Sequence, residues 1–244
     1  MKLIADLEQI NFLDERFYTL DGETFFPSVT YILDCYPKGY GFQQWLKDLG
    51  SNADQVRDRA AAIGSRVHDA INRLLVGDEI TWDDKVYGFD EWQYILRFME
   101  FWEKYKPELI ATEESLISPD LGFAGTIDLV CRINGEVWLI DLKTSNYLSN
   151  SYELQVAAYR KLWDGLSPEN KINRAGIFWF KALTRGEDSK GKSIQGEGWQ
   201  LKEFEGDPNR AYRLFEATHE IWKNENPNPK PKNRVYPIKA KLTI

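Results

Sequence analysis

The sequence predicts an α/β protein in which a central mixed β-sheet is flanked by helices and preceded by an N-terminal helical region. Three observations predict it. Two apolar segments within residues 122–145 are joined by Asn134-Gly135, the dipeptide of a two-residue β-hairpin. Long segments before them repeat apolar residues at helical spacing. After them a helix-like segment is followed by further strand-like ones, so strands and helices alternate with mixed connections.

Taken in order, the chain opens with a hairpin turning at Asp21-Gly22, and several helices follow to about residue 109. Ala53 to Val76 carries Ala60, Ile63, Val67, Ala70, Ile71, Leu74 and Leu75 on one stripe. The next helix, with Trp92, Ile95, Phe98, Met99, Phe101, Trp102 and Tyr105, is apolar nearly all round. It reads as buried core, with a platform for stacking bases as the alternative. Three strands come next, then the polar Thr144-Ser145. Asn150, with Glu153 three residues on, fits a capping-box start to a helix reaching about Trp163. Gly176 to Leu183 and Trp199 to Phe204 are strand-like, and the Gly-rich loop Thr184 to Gly198 between them is long for a hairpin, a mark of function or disorder. A helix from about Pro208 to Asn224 follows; His219 sits in a polar stretch of it and is expected to be solvated. The expectation is one domain, with a hairpin and helical region at 1–109, a sheet core at 110–205, and a C-terminal helix and tail at 206–244.

With 244 residues, 43% hydrophobic and 14% aromatic, the chain can bury one sizeable core. It has no run of about 18 apolar residues, and its first residues turn acidic too soon for a secretory signal. Cys35 and Cys131 give neither a disulfide framework nor a zinc site, and Cys131 reads as a small core residue. A reducing, intracellular location away from membranes is the expectation. A net charge of -7 argues against a protein that coats nucleic acid by neutralising phosphates, but not against one whose acidic residues hold a metal. Charge is uneven: beyond Asn226 the chain carries Lys230, Lys232, Arg234, Lys239 and Lys241 among prolines and no acidic residue. That segment is either a solvated tail or a basic arm that guides a strand.

The chemistry concentrates on the two central strands. Asp141 and Lys143 are two apart and share a face, and the hairpin folds Asp128 back toward Asp141. Two carboxylates meeting at the end of a buried hairpin repel unless a hard cation such as Mg2+ lies between them. A nearby ammonium can orient a water and neutralise charge developing on a phosphate. The alternative is a structural salt bridge. The Asp-x-Lys runs at Asp83 and Asp188 lie in polar, turn-like segments and read as surface. Gln155 and Tyr159, four apart, share a helix face; they are either a packed tyrosine with a satisfied amide or a contact to substrate backbone. His68 flanks the stripe of its helix, with Gly64 one turn earlier leaving room for something to approach. It is either a satisfied core histidine or a metal ligand.

In combination, Gly64-Ser65-Arg66-Val67-His68, Gly125-Thr126-Ile127-Asp128, Ile140-Asp141-Leu142-Lys143-Thr144-Ser145 and Gln155-Val156-Ala157-Ala158-Tyr159 resemble the RecB-type branch of the PD-(D/E)XK nuclease superfamily. The likeness is to phage and bacterial exonucleases and the mitochondrial genome-maintenance exonuclease, and spans roughly residues 25–183. It implies a restriction-endonuclease-like core and a Mg2+- or Mn2+-dependent deoxyribonuclease, an exonuclease of DNA repair, recombination or phage DNA processing. An endonuclease, or a nucleic-acid-binding protein that kept the fold and lost the chemistry, are the alternatives. By the resemblance, His68, Asp128 and Asp141 bind the metal and Lys143 assists the attacking water. Gln155 and Tyr159 contact DNA, single- or double-stranded, and Thr144, Ser145, Lys230, Lys232 and Arg234 are further candidate contacts. One more acidic residue usually begins the preceding strand; Glu113 matches its spacing best, with Glu114 adjacent on the opposite face. Some relatives hold an iron-sulfur cluster with four cysteines, and two cysteines here exclude that. The implied setting is the cytoplasm of a bacterium or phage-infected host.

Overall fold

The computed structural model describes residues 8–12, 15–182, 185–187, 193–195 and 197–231. Lys232, Arg234, Lys239, Lys241, the run Asp188 to Lys190 and parts of the loop Thr184 to Gly198 lie outside the described residues. In chain order the elements are β1 (Glu8–Phe12), β2 (Glu15–Thr19), β3 (Phe25–Pro27), α1 (Val29–Ile32), α2 (Tyr40–Leu49), α3 (Ala53–Leu75) and α4 (Phe89–Tyr105). Then come β4 (Glu108–Ser118), β5 (Phe123–Ile133), β6 (Glu136–Lys143), α5 (Ser151–Leu166), β7 (Arg174–Trp179), β8 (Arg185–Glu187), β9 (Ser193–Gln195), β10 (Gln200–Glu203) and α6 (Pro208–Glu225).

The main sheet has the order β10-β7-β6-β5-β4. β6 and β7 are parallel, the other neighbours antiparallel. A parallel pair needs a crossover, and α5 supplies it. The result is the mixed sheet flanked by helices that the sequence predicts. Asn134 and Gly135 take φ of 51° and 85°, the two left-handed positions of the tight turn that suits twisted strands. The expected turn at Asp21 also forms: its carboxylate accepts from the Glu23 and Thr24 amides at 2.8 and 2.7 Å. β1, β2 and β3 form a separate, antiparallel three-stranded sheet. Within the Gly-rich loop, β8 and β9 pair with each other.

β6 is buried on both faces because helices cover both. Val137 and Leu139 join the α5 and α6 side chains Leu154, Leu162, Phe215 and Trp222 in one core. Trp138, Ile140 and Leu142 pack on the opposite face with Val67 and Ile71 of α3 and Phe98 and Phe101 of α4. The aromatic helix α4 is therefore core, as its composition predicts, with Met99 and Tyr105 left at the surface. Cys131 is wholly buried. Among the described residues no helix is long and apolar enough to cross a membrane.

Two local expectations fail. Asn150 precedes α5 with helical backbone angles and makes no capping bond; the loop feeding α5 is instead ordered by its own hydroxyls, Ser149 bonding Ser151. His219 is not solvated. It is 4% exposed, edge-on to Phe123 and close to Phe215 and Trp222. Phe123 of β5 and the α6 residues Phe215 and Trp222 enclose the ring, and of the polar residues flanking it in sequence only Glu220 is exposed, Thr218 being buried with it. Burial, reinforced by Lys223 and opposed by Glu220, pushes its pKa down to about 4.

That burial has a consequence for acid stability. The unfolded imidazole, with its ordinary value of 6.5, binds a proton that the folded one resists. The stabilisation is full above that value and is lost as pH falls toward the folded one, by on the order of 2 kcal/mol. His219→Phe removes this linkage while keeping the aromatic packing. Urea unfolding should show the variant gaining about 2 kcal/mol relative to the parent between about pH 7.5 and about pH 4.5. Parallel stability profiles would return His219 to solvent.

Candidate metal centre

The C-terminal end of β6 brings charge into the sheet. Alternation places Asp141 and Lys143 with Val137 and Leu139, on the side facing α5. Asp141 is 1% exposed. Its Oδ2 lies 2.6 Å from Lys143 Nζ, yet has no well-aligned hydrogen-bond donor, so the contact is chiefly ionic. Its Oδ1 accepts from Gln155 Nε2 at 3.1 Å, and the same amide donates to the Tyr159 hydroxyl at 3.2 Å. Gln155 and Tyr159 are both buried. Their shared helical face thus braces Asp141 from α5. Tyr159 in turn lies over Gly125, where a Cβ would come within 2.5 Å of the ring, so the glycine of that motif is a packing requirement.

Asp128 sits across the hairpin. The β5–β6 ladder runs to the pair Leu129 and Ile140. Just beyond it, the Asp128 carboxylate accepts from the Leu142 amide at 2.7 Å. His68, from α3 on the other face of the sheet, reaches the same residue: its Nε2 is 3.1 Å from the Leu142 carbonyl. A carbonyl only accepts, so Nε2 carries hydrogen and Nδ1 is the nitrogen turned toward the carboxylates. Nδ1 is 3.5 Å from Asp128 Oδ1 and 3.6 Å from Glu113 Oε1.

His68, Glu113 and Asp128 each offer a ligand atom, and these atoms lie within 4.8 Å of one another. Glu113, which the sequence offers only by spacing, is therefore brought in. Asp141 is not one of the three, its carboxylate being turned to Lys143 and Gln155. Glu113 has a φ of 48°, left-handed backbone in a non-glycine residue in mid-strand. Its neighbours Thr112 and Glu114 pair regularly with Leu129 and Ile127. Such a conformation costs about 1–2 kcal/mol, and it occurs where the carboxylate meets His68.

The surrounding loop accounts for other sequence candidates. At Gly64 an added Cβ would stand 3.3 Å from Thr144 Oγ1, so the space beside that helix turn belongs to Thr144. Ser145 is engaged internally: its hydroxyl donates to the Tyr147 carbonyl at 2.9 Å and accepts from the Tyr152 hydroxyl at 3.2 Å, and its carbonyl accepts from Trp179 Nε1 at 2.8 Å. Lys230 is exposed beyond α6. Asp83 and Lys85 are exposed as expected. Tyr152 is the residue the sequence reading passes over, although it lies three residues before Gln155 and hence on nearly the same face. Its ring centre is 4.8 Å from Lys143 Nζ.

Electrostatics bind the group together. Burial disfavours charge on His68, but Asp128 and Glu113 override it and push its pKa up to about 10. Burial raises Asp128 as well; the His68 charge, Lys143 and the Leu142 amide together hold it below the usual carboxylate range. For Asp141 burial dominates, Lys143 opposes, and the Asp128 charge adds, leaving it at about 6. Lys143 is raised, its burial outweighed by Asp141 and Asp128. The proton on His68 Nδ1 thus does what a cation would do at the same place. An imidazole nitrogen, two carboxylates and a third, buried carboxylate oxygen without an aligned donor are a donor set that fits Mg2+ or Mn2+.

No curated protein matches the chain. One solved structure that it is similar to, titled "Crystal structure of SSO0001", shares 13% identity with a TM-score of 0.28, over 67% of this chain and 87% of that one, too slight a likeness to bear on fold or function. The family comparison is different in kind. A model of the PD-(D/E)XK nuclease superfamily matches residues 40–230, a span that includes α3, the whole main sheet and α5. Asp141-Leu142-Lys143 stands within it as the Asp-x-Lys element, beside a group able to hold a metal, and the chain belongs to the PD-(D/E)XK superfamily of metal-dependent nucleases.

Proposed function

We propose that the protein is a Mg2+- or Mn2+-dependent exonuclease that hydrolyses the phosphodiester bonds of DNA. The observation that carries the reading is the junction of His68, Glu113 and Asp128 with the Asp141–Lys143 pair. The exonuclease assignment draws on the motif set that resembles the RecB-type branch, and on the basic segment with Lys230, Lys232 and Arg234, which can steer a strand toward an otherwise acidic molecule.

In this reading His68 through Nδ1, Glu113 and Asp128 hold the cation, with Asp141 at its border. A divalent cation bound there supplies Lewis acidity toward the phosphate and lowers the pKa of water. The chain's own groups do the rest. Leu142 orients two ligands at once, its amide fixing Asp128 and its carbonyl fixing His68. Asp141 keeps Lys143 protonated and in place, so that its ammonium faces the charge that builds on the phosphate. Gln155 orients Asp141 and is itself anchored by the buried Tyr159. Thr144 and Ser145 border the same loop.

The function is tested by incubating linear and covalently closed circular DNA with the full chain and Mg2+ or Mn2+. Linear DNA should be degraded progressively while closed circles persist; linearisation of circles would make the protein an endonuclease. Lys143→Ala should lose about 100- to 1,000-fold in rate while keeping Mn2+ and DNA binding, and near-normal turnover would reduce the Asp141–Lys143 pair to a salt bridge.

The strained Glu113 allows its role to be separated from its cost. Glu113→Ala and Glu113→Gly should both weaken Mn2+ binding, read by calorimetry. Glycine accepts the left-handed backbone that alanine resists, so the glycine variant should be about 1 kcal/mol more stable than the alanine variant in the absence of metal. Unchanged Mn2+ affinity in both would remove Glu113 from the ligand set.

A further inference from the structure

Among the described residues the Lys143 ammonium makes two close side-chain contacts, of which one lies within the Asp-x-Lys motif. The Asp141 carboxylate is the first. The second is the face of Tyr152, whose ring centre lies 4.8 Å from Nζ. The ring is itself tethered. Its hydroxyl donates to Ser145 Oγ at 3.2 Å, Ser145 Oγ donates on to the Tyr147 carbonyl at 2.9 Å, and the Ser145 carbonyl takes the Trp179 indole N–H at 2.8 Å. Trp179 is on β7, paired in register with Lys143 itself. A closed circuit results, from Lys143 across the parallel ladder to Trp179, through Ser145 to the first turn of α5, and back to the ammonium through the ring. Tyr152 is half-buried.

We propose that Tyr152 is a positioning residue for Lys143, its ring holding the ammonium on the substrate side by cation–π attraction while Ser145 and Trp179 fix the ring. The role rests on the nuclease reading above. The pair with Asp141 does not replace it. That carboxylate is shared with Gln155 and borders the ligand group, so whatever draws on its Oδ2 loosens its hold on Lys143. The ring contact is independent of that demand. A face-on ring also limits the long, flexible lysine stem to fewer rotamers, and a reacting group displaced by a fraction of an ångström loses rate.

The test compares Tyr152→Leu, Tyr152→Phe and Lys143→Ala with the parent, using a short linear DNA duplex in Mn2+. Leucine should lower kcat about tenfold with KM little changed, the scale of one partly desolvated cation–π contact. Phenylalanine keeps the ring and should restore kcat to within about threefold, the residue of the lost Ser145 tether. A second readout needs neither metal nor substrate. In protein labelled with 13C-lysine, the Lys143 ε-methylene, assigned through Lys143→Ala, should be shifted upfield by the ring in the parent and in Tyr152→Phe, and should return to the bulk lysine position in Tyr152→Leu. Cleavage that Lys143→Ala abolishes and Tyr152→Leu leaves intact would overturn the role of Tyr152 alone, as would an unshifted Lys143 signal in the parent. No metal-dependent cleavage by the parent would overturn the nuclease reading and this role with it.

Discussion

The structure is organised around carboxylates that repel one another. Glu113, Asp128 and Asp141 converge where β4, β5 and β6 lie side by side, and Asp141 is almost wholly enclosed. Each buried carboxylate carries a desolvation cost of several kcal/mol unless it is paired. The chain meets this with two cations of its own, a protonated His68 and Lys143, and with single hydrogen bonds from Leu142 and Gln155. Their number falls short of the lone pairs available, and oxygen atoms left over in this way are what a hard divalent ion would require of its site.

The architecture delivers these groups from both sides of one sheet. α3 approaches one face with His68 and α5 the other with Gln155 and Tyr159, and they meet because both reach the end of β6. The parallel β6–β7 pair is central to this. It forces the crossover that lays α5 along the sheet, and it buries β6 from Val137 to Leu142, so that Asp141 carries its charge inside the molecule while Glu136 carries its own at the exposed start of the strand. The aromatic density of α4, β7 and Trp199 underneath makes the strand ends a stiff platform.

Much of this was legible from residue order. The Asn134-Gly135 turn, the strand alternation of Asp141 and Lys143, and the helical stripe carrying His68 are local patterns, and local patterns survive into the fold. What was not legible depends on neighbours distant in sequence. His219 looks polar along α6, and only Phe123 from another element makes it a core residue. Asn150 and Glu153 have the spacing of a cap, but the backbone before α5 is already helical. Glu113 and Glu114 could not be separated by alternation because the strand leaves regular geometry at Glu113. Tyr152 gave no signal of its own, since its partner Lys143 belongs to a different element.

The hairpin turn at Asn134 and Gly135 lies at the far end of β5 and β6 from Asp128 and Asp141, yet it governs their placement. Because strand residues alternate faces, one residue added to or removed from that turn would exchange Asp141 with Leu142, setting a carboxylate against the α4 core and a leucine opposite Asp128. The turn therefore has no freedom in length, although nothing in it touches the site. The connection from β7 to β10 is the opposite case. Only β10 and α6 lie downstream among the described residues, and neither contributes to the group of His68, Glu113 and Asp128. Lengthening it would leave the centre's geometry intact, which makes that connection the place where the protein can acquire new surface without disturbing its chemistry.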